Sequence, residues 1–328
     1  AQCEYDVTFI ESHICNDGGF PVSAQFQGLA MNDLGWVVGK AKRCDETWLR
    51  VPAIWKPGWE QSAELASPDW LADGNAVAVN NAGDVACNAS GLPDVGRRPF
   101  IVRSDGTIEV LPAATPDASQ AEGLDMNDDG VVVGYTDGGP GDTRVACMWI
   151  NGSIHLLDTP EGMDSLARAI DENGVVYGRI EPPGLDLPAY WIDGVRYDLP
   201  LTMKTTQGYV LDAINPGTIV GVASLPGEHK LGEPQPAAWI DGDMQLLEVP
   251  ASYTMGWALL VNRYGQVWGR VFGDDLPSLH VLWQHGAAIP IVDLLEPGQF
   301  EQVGRPEAAN NRGQVLATVR PIVGFSGE

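Results

Sequence analysis

The sequence lacks several features on which common classes of protein function depend. It contains no run of basic residues, and its 19 Lys and Arg against 44 Asp and Glu among 328 residues give a formal net charge of -25. Only five of the basic residues are lysines. A surface of this sign repels polyanions, so nucleic acid is not an expected partner. Cations, cationic partners or a salty medium fit better.

Long apolar runs are also missing. No stretch approaches the roughly 20 apolar residues of a membrane-spanning helix, so membrane insertion is not expected. The sequence begins Ala1-Gln2-Cys3 without Met, which is typical of a mature end left after removal of a secretory signal. A trimmed segment would begin in the same way. We therefore expect a secreted protein, extracellular or at the cell surface.

Motifs of common enzyme classes are missing as well. There is no Gly-x-Ser-x-Gly elbow, no phosphate-binding glycine loop and no Cys-x-x-Cys. The five histidines share no metal-ligand spacing, so no catalytic residue is predicted. Paired acids such as Asp274 with Asp275, or Glu161 with Asp164, leave one alternative open, a secreted enzyme that acts on polysaccharide with loop carboxylates. With 44 acids in the chain, some proximity of this kind is unavoidable.

What the sequence has in abundance is one repeated unit, an Asn or Asp followed two or three positions later by Gly and then by a β-branched residue. The unit occurs seven times, with anchors at Asn32, Asn80, Asn127, Asp171, Asn215, Asn262 and Asn310. The anchors are 48, 47, 44, 44, 47 and 48 residues apart. A period of this size indicates one supersecondary unit stacked on copies of itself. We therefore expect a single domain over residues 1–328.

Each repeat is expected to hold four antiparallel strands, which we designate a to d. Strand a precedes the anchor, and the turn glycine leads into strand b, whose apolar run is typical of a strand covered on both faces. Strand c ends in a tryptophan in five repeats, at Trp55, Trp149, Trp191, Trp239 and Trp283. Tight turns such as Asn151-Gly152 and Asp193-Gly194 then lead into a Leu-rich strand d.

Four antiparallel strands in about 45 residues make one blade of a β-propeller. Seven repeats therefore predict an all-β, seven-bladed β-propeller. The seventh repeat ends after at most three strands, while Tyr5 to Ile10 form a strand-like segment ahead of the first repeat. We expect this N-terminal strand to join the last blade and to close the ring, which would hide a sheet edge. An open β-solenoid is the alternative.

The repeated core Asn-x-x-Gly-x-Val-x-Gly, followed by Ala-x-x-Trp and Asp-Gly, resembles the HAF-type repeats of bacterial extracellular proteins. The resemblance covers almost the whole chain and departs where Cys87 and Ala317 replace the last Gly and where Asp171 replaces Asn. It implies secretion and a propeller-like fold. It carries no catalytic motif to this sequence.

Ligand-binding residues are expected where the b–c and d–a loops run, because these loops are long and the a–b and c–d turns are short. Trp48, Trp70 and Tyr209 fall there, outside the repeat pattern, beside Asp69 and Arg50. We predict that these five residues bind a ligand, with capping of the blade ends by the aromatic residues as the alternative. The partner would be a protein, a glycan or another copy of the chain.

One repeat contains a partial calcium motif. Asp125-x-Asn127-x-Asp129-Gly130 matches the first half of a calcium loop, but the late bidentate acid is missing because Thr136 stands at that position. The three residues are candidate Ca²⁺ ligands, and an ordinary hairpin is the competing explanation. Asp125 is unusual because five other repeats place alanine at what we take as the equivalent position, namely Ala30, Ala78, Ala169, Ala213 and Ala308.

Five cysteines leave at least one thiol without a partner inside the chain. We predict a Cys15–Cys44 disulfide near the expected ring closure, where it would brace the two termini. Cys87 and Cys147 lie on expected strands and are predicted to be buried, while Cys3 is unassigned.

These features favour a non-catalytic extracellular β-propeller that acts as a structural, assembly or binding module. No cofactor is required for such a role. The polysaccharide-acting enzyme and a calcium-dependent adhesin are the alternatives.

Overall fold

The computed structural model describes residues 7–10, 13–17, 20–24, 26–42, 49–91, 96–141, 143–202, 205, 207–214, 217–226, 233–273, 276–298 and 300–321. The chain divides into two compact units, residues 10–184 with 189–198, and residues 1–9, 185–188 and 199–328. The described residues form 28 strands and one short 3₁₀ helix. None of their helices is long and apolar enough to cross a membrane.

The strands form successive antiparallel sheets, which we number in chain order after an initial hairpin of β1 (His13–Asp17) and β2 (Phe20–Ala24). Sheet one contains β3 (Gln27–Met31), β4 (Val37–Lys42), β5 (Arg50–Trp55) and β6 (Ala63–Glu64). Sheet two contains β7 (Asp73–Val79), β8 (Val85–Ser90), β9 (Arg97–Val102) and β10 (Ile108–Val110). Sheet three contains β11 (Ala121–Met126), β12 (Val132–Thr136), β13 (Val145–Ile150) and β14 (Ser153–Leu156).

The later sheets repeat this order. Sheet four contains β15 (Asp164–Ile170), β16 (Val176–Glu181), β17 (Leu187–Ile192) and β18 (Val195–Asp198). Sheet five contains β19 (Gln207–Ile214), β20 (Thr218–Leu225), β21 (Glu233–Ile240) and β22 (Asp243–Leu246). Sheet six contains β23 (Met255–Val261), β24 (Val267–Gly273), β25 (Leu276–Gln284) and β26 (Ala287–Pro290), and the 3₁₀ helix Ile291–Leu294 follows it. Sheet seven contains β27 (Phe300–Ala309) and β28 (Val315–Pro321).

The expected four-stranded repeat is confirmed for six of the seven repeats, each of which is a meander in which strands a to d pair in chain order. The seventh has two strands among the described residues. Residues 7–10 lie in no strand, so this part of the expected N-terminal strand does not form. The ring of Phe9 nevertheless lies 6.1 Å from that of Phe300, at the start of β27.

The c–d turns of sheets three to five confirm the hairpins expected from Asn-Gly and Asp-Gly, and His285-Gly286 forms the same kind of turn in sheet six. Asn151 and Gly152 have φ of 49° and 75°, and the strands pair directly on either side, at Ile150 with Ser153. Two positive φ angles in a two-residue loop define a type I′ turn, which matches the twist of the strands. In sheet one a turn forms at Pro57-Gly58, where the Trp59 amide donates to the Lys56 oxygen at 3.0 Å and Gly58 has a φ of 87°. This turn does not join strands c and d directly, because Ile54 pairs with Ala63 across a longer connection.

The tryptophan at the end of strand c joins its sheet to the preceding one. Trp149 is 1% exposed, and its indole Nε1–H donates to the backbone oxygen of Pro112, just beyond sheet two, at 2.7 Å. The bond recurs in later sheets, from Trp191 to Asp158, from Trp239 to Pro200 and from Trp283 to Glu248. In sheet one Trp55 donates instead to the oxygen of Trp59 in its own c–d connection.

The anchors of the repeat also make contacts from sheet to sheet. Side-chain amides of three anchors donate to the backbone oxygen of the next anchor, from Asn32 to Asn80, from Asn127 to Asp171 and from Asn262 to Asn310. The residue after each of four anchors also makes such a contact, because its backbone amide donates to the side chain of the residue after the next anchor. These bonds run from Asp33 to Asn81, Asn81 to Asp128, Asp128 to Glu172 and Arg263 to Asn311. The sequence predicted only a turn at these positions.

Within each unit the core lies between successive sheets. Val38 and Ile54 of sheet one pack with Ala76, Val85 and Phe100 of sheet two. In the other unit, residues of sheets five and six form the equivalent cluster, namely Val220, Ala238, Ala258, Val261, Val267, Val271, Val281 and Trp283. Cys87 and Cys147 are fully buried free thiols, which confirms their expected role as small apolar residues.

Candidate ligand-binding site

An aromatic and cationic cluster lies on strands a and b of sheet six. Trp257 and Arg270 face each other as a cross-strand pair, with the Arg270 guanidinium carbon 4.0 Å from the centroid of the Trp257 ring. The Phe272 ring packs edge-on against Trp257, with centroids 5.9 Å apart and planes at 88°, and lies 5.2 Å from the Arg270 guanidinium. We call Trp257, Arg270 and Phe272 the Trp257–Arg270 cluster.

The cluster follows from strand periodicity and one close backbone approach. Trp257 lies in the half of strand a that adjoins the connection 247–254, and Arg270 lies at the centre of strand b. Binding residues were expected at this end of the strands, although the b–c connection of sheet six is short, with strand b ending at Gly273 and strand c beginning at Leu276. Gly269 precedes Arg270, and a Cβ atom there would lie 2.0 Å from the Trp257 oxygen. Only glycine lets strand b approach strand a this closely at the cluster.

Neighbouring residues add positive charge. Arg270 also pairs with His280 on strand c, and the His280 Nδ1 atom lies 2.9 Å from the backbone oxygen of Val303 on β27. Burial lowers the pKa of Arg270, and Arg305 lowers it further, while Tyr209 acts in the opposite direction. Burial is also the main cause of the lowered pKa of His280, to which the charges of Arg270 and Arg305 contribute.

Tyr209, Trp257 and Arg305 occupy the same place in successive repeats, eight residues before the turn glycines Gly217, Gly265 and Gly313. Sequence reasoning singled out Tyr209 alone. The other two were missed because tryptophan and arginine within strands are ordinary residues when each repeat is read separately. Aligning the repeats on the turn glycine exposes this position, since it holds Gln27, Asn75, Glu122 and Leu166 in the first four.

Two donors in the cluster have no acceptor. The Nε1–H of Trp257 and the Nε–H of Arg270 are buried without a hydrogen-bond partner. Buried polar groups in folded proteins are nearly always hydrogen-bonded, because leaving one unsatisfied costs about 1–3 kcal/mol. The cluster can therefore accommodate an acceptor such as an oxygen of a ligand.

The other predicted binding residues lie elsewhere. Arg50 donates from Nε and Nη2 to both carboxylate oxygens of Asp73, at 2.8 and 2.5 Å, so it ties sheet one to sheet two. Trp70 packs against the core between these sheets, as the capping alternative describes. Asp69 is exposed and lines a surface cavity of about 470 Å³ formed by the connection between β6 and β7. Trp48 lies outside the described residues.

The calcium-like segment takes part in contacts between sheets three and four. Asp125 accepts the Ile170 amide on Oδ2 and the Met126 amide on Oδ1, both at short distance, 2.9 and 2.8 Å. Asn127 Oδ1 accepts the Val131 amide within the turn, and Asp129 is exposed. No group of three or more His, Cys, Asp or Glu among the described residues could hold a metal ion. Calcium binding stays a prediction.

The comparison of Asp125 with alanine in the other repeats is wrong for sheet five. Asp125 pairs with Val133 just after a bulge in strand a, and Asp212 pairs with Val220 after the corresponding bulge. Asn215 and Gly217 are separated by one residue fewer than in the other repeats, so counting from the anchor shifted the alignment to Ala213. Like Asp125, Asp212 accepts an amide of the next sheet, from Val261 at 2.9 Å.

Sheets two to four carry a second polar cavity of about 630 Å³, lined by Asp117, Asp137, Arg144 and Asp164 among others. Its arginine is neutralised, because Arg144 Nη2 lies 2.5 Å from Glu181 Oε2. The predicted disulfide falls beyond what the structure describes, since Cys44 and the Cys15 side chain both lie outside the described residues.

The fold resembles propellers of known structure. The β-propeller domain of the Trilobed protease from Pyrococcus furiosus, reported with an open velcro topology, aligns with 82% of this chain and 84% of its own at a TM-score of 0.58 and 11% identity. The Pyrococcus horikoshii acylaminoacyl peptidase aligns with 89% of this chain at a TM-score of 0.53 and 12% identity. This chain covers 49% of that peptidase. At such identities the likeness shows a β-propeller fold alone.

No family model matches the chain, and no curated protein matches it. The resemblance to HAF-type repeats therefore rests on the repeated motif itself.

Proposed function

We propose that the chain is a non-catalytic glycan-binding module, built as a closed seven-bladed β-propeller of HAF-type repeats and acting outside a bacterial cell or at its surface. The Trp257–Arg270 cluster is the observation that carries the proposal. It combines two aromatic rings, a guanidinium and two buried donors without acceptors on strands a and b of sheet six. Aromatic surface with a few convergent polar groups is typical of small-ligand sites.

A binding role is favoured over catalysis by what the carboxyl groups do. Burial raises the pKa of Asp125 to about 6, but both of its oxygens accept backbone amides. Burial also raises the pKa of Glu172, whose Oε2 accepts the Asp128 amide. Neither residue lines the two cavities. A glycosidase needs a raised-pKa acid and a second carboxylate that flank an open substrate site.

Closure of the ring is supported by the contact of Phe9 with Phe300 and by the two described strands of sheet seven, where the other six sheets have four. In this proposal the N-terminal segment completes the last blade and protects its edge. Replacing residues 1–10 with an unrelated polar segment should lower the melting temperature by several degrees. An unchanged melting temperature would contradict closure by this segment.

The binding role is tested by titrating the protein with neutral and acidic oligosaccharides in a calorimeter, while a parallel assay looks for shortened products. Trp257→Ala should abolish binding of whichever glycans bind. Trp59→Ala is the matched control, because Trp59 is an exposed tryptophan in the c–d connection of sheet one, at the other end of the strands. Melting curves of both variants show whether the fold persists.

Three outcomes would contradict the proposal. Failure of every glycan to bind would reject a glycan partner, and equal loss of binding in both tryptophan variants would reject the site. Release of shortened products would favour the polysaccharide-acting enzyme instead.

A further inference from the structure

We propose that the Trp257–Arg270 cluster binds a single carboxylate carried by an otherwise neutral glycan, such as one uronic acid unit on a neutral chain. This inference rests on the proposed function, because it names the chemistry of the glycan that the same cluster would bind.

Arg270 has aromatic neighbours where six other arginines have acids. Salt bridges to Asp or Glu occupy Arg50, Arg97, Arg103, Arg144, Arg179 and Arg196. Among the described residues, no carboxylate lies within salt-bridge distance of Arg270. Its guanidinium lies over Trp257 and beside Phe272 instead. Within the same described part of the chain, Arg263 is also without a salt bridge and lies against the Tyr264 ring, but Arg270 contacts two aromatic rings and is more enclosed.

Two hydrogen-bond donors of the cluster lack an acceptor. Arg270 Nε–H has no acceptor, and neither has the Nε1–H of the adjacent Trp257. A guanidinium presents its N–H groups in a planar fork that matches the two oxygens of a carboxylate. The ring of Trp257 holds that fork by a cation–π contact, which reduces the side-chain entropy lost on binding. A carboxylate would satisfy both the charge and the donors.

A second cation interacts with Arg270. Arg305 is half exposed, and its Nε lies 3.8 Å from Glu307 Oε2. His280 lies across the strand from Arg270, and Tyr209 is the neutral polar residue that interacts with Arg270 from sheet five. Arg270 and Arg305 are therefore two interacting cations, and Glu307 lies within salt-bridge distance of Arg305. Such an arrangement attracts an anion locally.

The net charge decides between one carboxylate and many. A polyanion carries further charged groups that would lie outside the cluster. The protein, with its net charge of -25, would repel each of those groups. At physiological salt, screening confines attraction by the cluster to about 8 Å. A glycan with a single carboxylate avoids this repulsion, because the remainder of its chain is uncharged. The inference therefore favours a sparsely charged chain over an acidic polysaccharide.

The experiment uses three matched probes in calorimetric titrations of the full chain. These are xylotetraose bearing one glucuronate unit, the same oligosaccharide with its carboxyl reduced to hydroxymethyl, and unsubstituted xylotetraose. Polygalacturonate serves as the polyanion. We expect the carboxylate probe to bind at least about tenfold more tightly than its reduced form, since hydrogen bonds to charged groups contribute about 1.5–3 kcal/mol.

The variants separate charge from structure. Arg270→Gln should remove the preference for the carboxylate probe, and Arg270→Lys should keep part of it, because lysine retains the charge without the fork. Arg179→Gln is the matched control: Arg179 holds the same place in sheet four, five residues after the turn glycine, but its Nε lies 2.7 Å from Glu181 Oε1. It should leave all four affinities unchanged. Melting curves of each variant identify any that unfolds.

The results distinguish this inference from the proposed function. Equal binding of the carboxylate and reduced probes, lost in Trp257→Ala, would overturn the carboxylate and leave glycan binding intact. Tighter binding of polygalacturonate than of the single-carboxylate probe would overturn the sparse-charge argument. A preference for the carboxylate that survives in Arg270→Gln would overturn the site.

Discussion

The side-chain amide nitrogen of Asn32 lies 2.9 Å from the backbone oxygen of Asn80, the residue that holds the same place one repeat later. The Oδ1 atom of the same side chain accepts the amides of Leu34 and Trp36, at 3.0 and 2.9 Å. One buried side chain therefore closes a turn within its own sheet and also joins that sheet to the next. The repeated Asn has a tertiary role in addition to forming the turn.

This double role predicts the effect of Asn32→Asp. Aspartate keeps the turn acceptor but replaces the donor with an oxygen that faces the Asn80 oxygen, so we expect a loss of about 1–3 kcal/mol in the free energy of unfolding, measured with urea. Sheet four tolerates Asp171 because its Oδ2 accepts the Tyr177 hydroxyl at 3.1 Å. Sheet one offers no hydroxyl there, since Val38 holds the corresponding position.

Asn151→Asp is the matched control for that variant. Asn151 occupies a type I′ turn position that Asp193 and Asp241 fill in the following two sheets, each with φ near 50°. This change should alter the free energy of unfolding by less than about 0.5 kcal/mol. Equal losses in the two variants would show that the contact from Asn32 to Asn80 contributes nothing.

The tryptophan at the end of strand c provides a second test. Trp149→Phe removes the hydrogen bond to the Pro112 oxygen and leaves a small cavity between sheets two and three. We expect a loss of about 1–4 kcal/mol in the free energy of unfolding. Trp59→Phe, in an exposed position, should change it little. If Trp149→Phe is as stable as the parent, the indole is not a link between the sheets.

Gly269 is expected to be essential for the candidate site. Alanine there would place a Cβ atom 2.0 Å from the Trp257 oxygen, a clash with backbone that no rotamer relieves. Gly273→Ala is the control, because its added atom would come no closer than 3.7 Å to any neighbour. We expect Gly269→Ala to lower the melting temperature by many degrees, or to prevent folding, and Gly273→Ala to shift it by only a few.

Asp125 predicts a pH dependence of stability. Burial raises its pKa from 3.8 to about 6, so the folded state binds a proton more tightly than the unfolded state does. The contribution of Asp125 to stability therefore increases as the pH falls from about 6 towards 3.8, and is lost as the pH rises through about 6. Burial raises the pKa of the nearby Glu172 too, which acts in the same direction.

The measurement is the free energy of unfolding of the parent minus that of Asp125→Asn, between pH 4 and 8. The subtraction removes other titrating groups, including His280, whose lowered pKa acts in the opposite direction. We expect the parent to gain on the variant as the pH falls below about 6. A difference that is constant across this range would contradict the raised pKa.

Calcium provides the last test. The Oδ atoms of Asp125 accept amides of Met126 and Ile170, which competes with their use as metal ligands. We expect millimolar calcium to leave the melting temperature unchanged, both in the parent and in Asp129→Ala. A rise in the parent that Asp129→Ala removes would instead support the calcium-dependent adhesin.

Local backbone preferences explain which parts of the fold could be predicted from the sequence. The turns at Asn151-Gly152 and at the later Asp-Gly pairs were predictable because positive φ is a property of a few residue types. The burial of Cys87 and Cys147 followed from their places in apolar strands. A turn also forms at Pro57-Gly58, but the longer c–d connection that contains it was not predictable, because a turn signal does not specify how many residues a connection contains.

Sequence reasoning named Tyr209, which interacts with Arg270, but did not name Trp257, Arg270 or Arg305. Trp257 and Arg270 are 13 residues apart and meet only through the register of strands a and b. The same dependence on register explains the error over Ala213, because one bulge and one shorter turn move Asp212 into the equivalent position. A single residue of displacement changes which side chains share a face of a sheet.

The sequence by itself determined the number of repeats, the order of the strands and the residues that form the turns, because these depend on spacing and on local backbone preference. Only the tertiary structure decided which groups meet across sheets. The bond from Asn32 to Asn80 and the stacking of Arg270 on Trp257 both depend on how the strands align. Strand alignment is set by packing over the whole sheet, so distance along the chain does not reveal it.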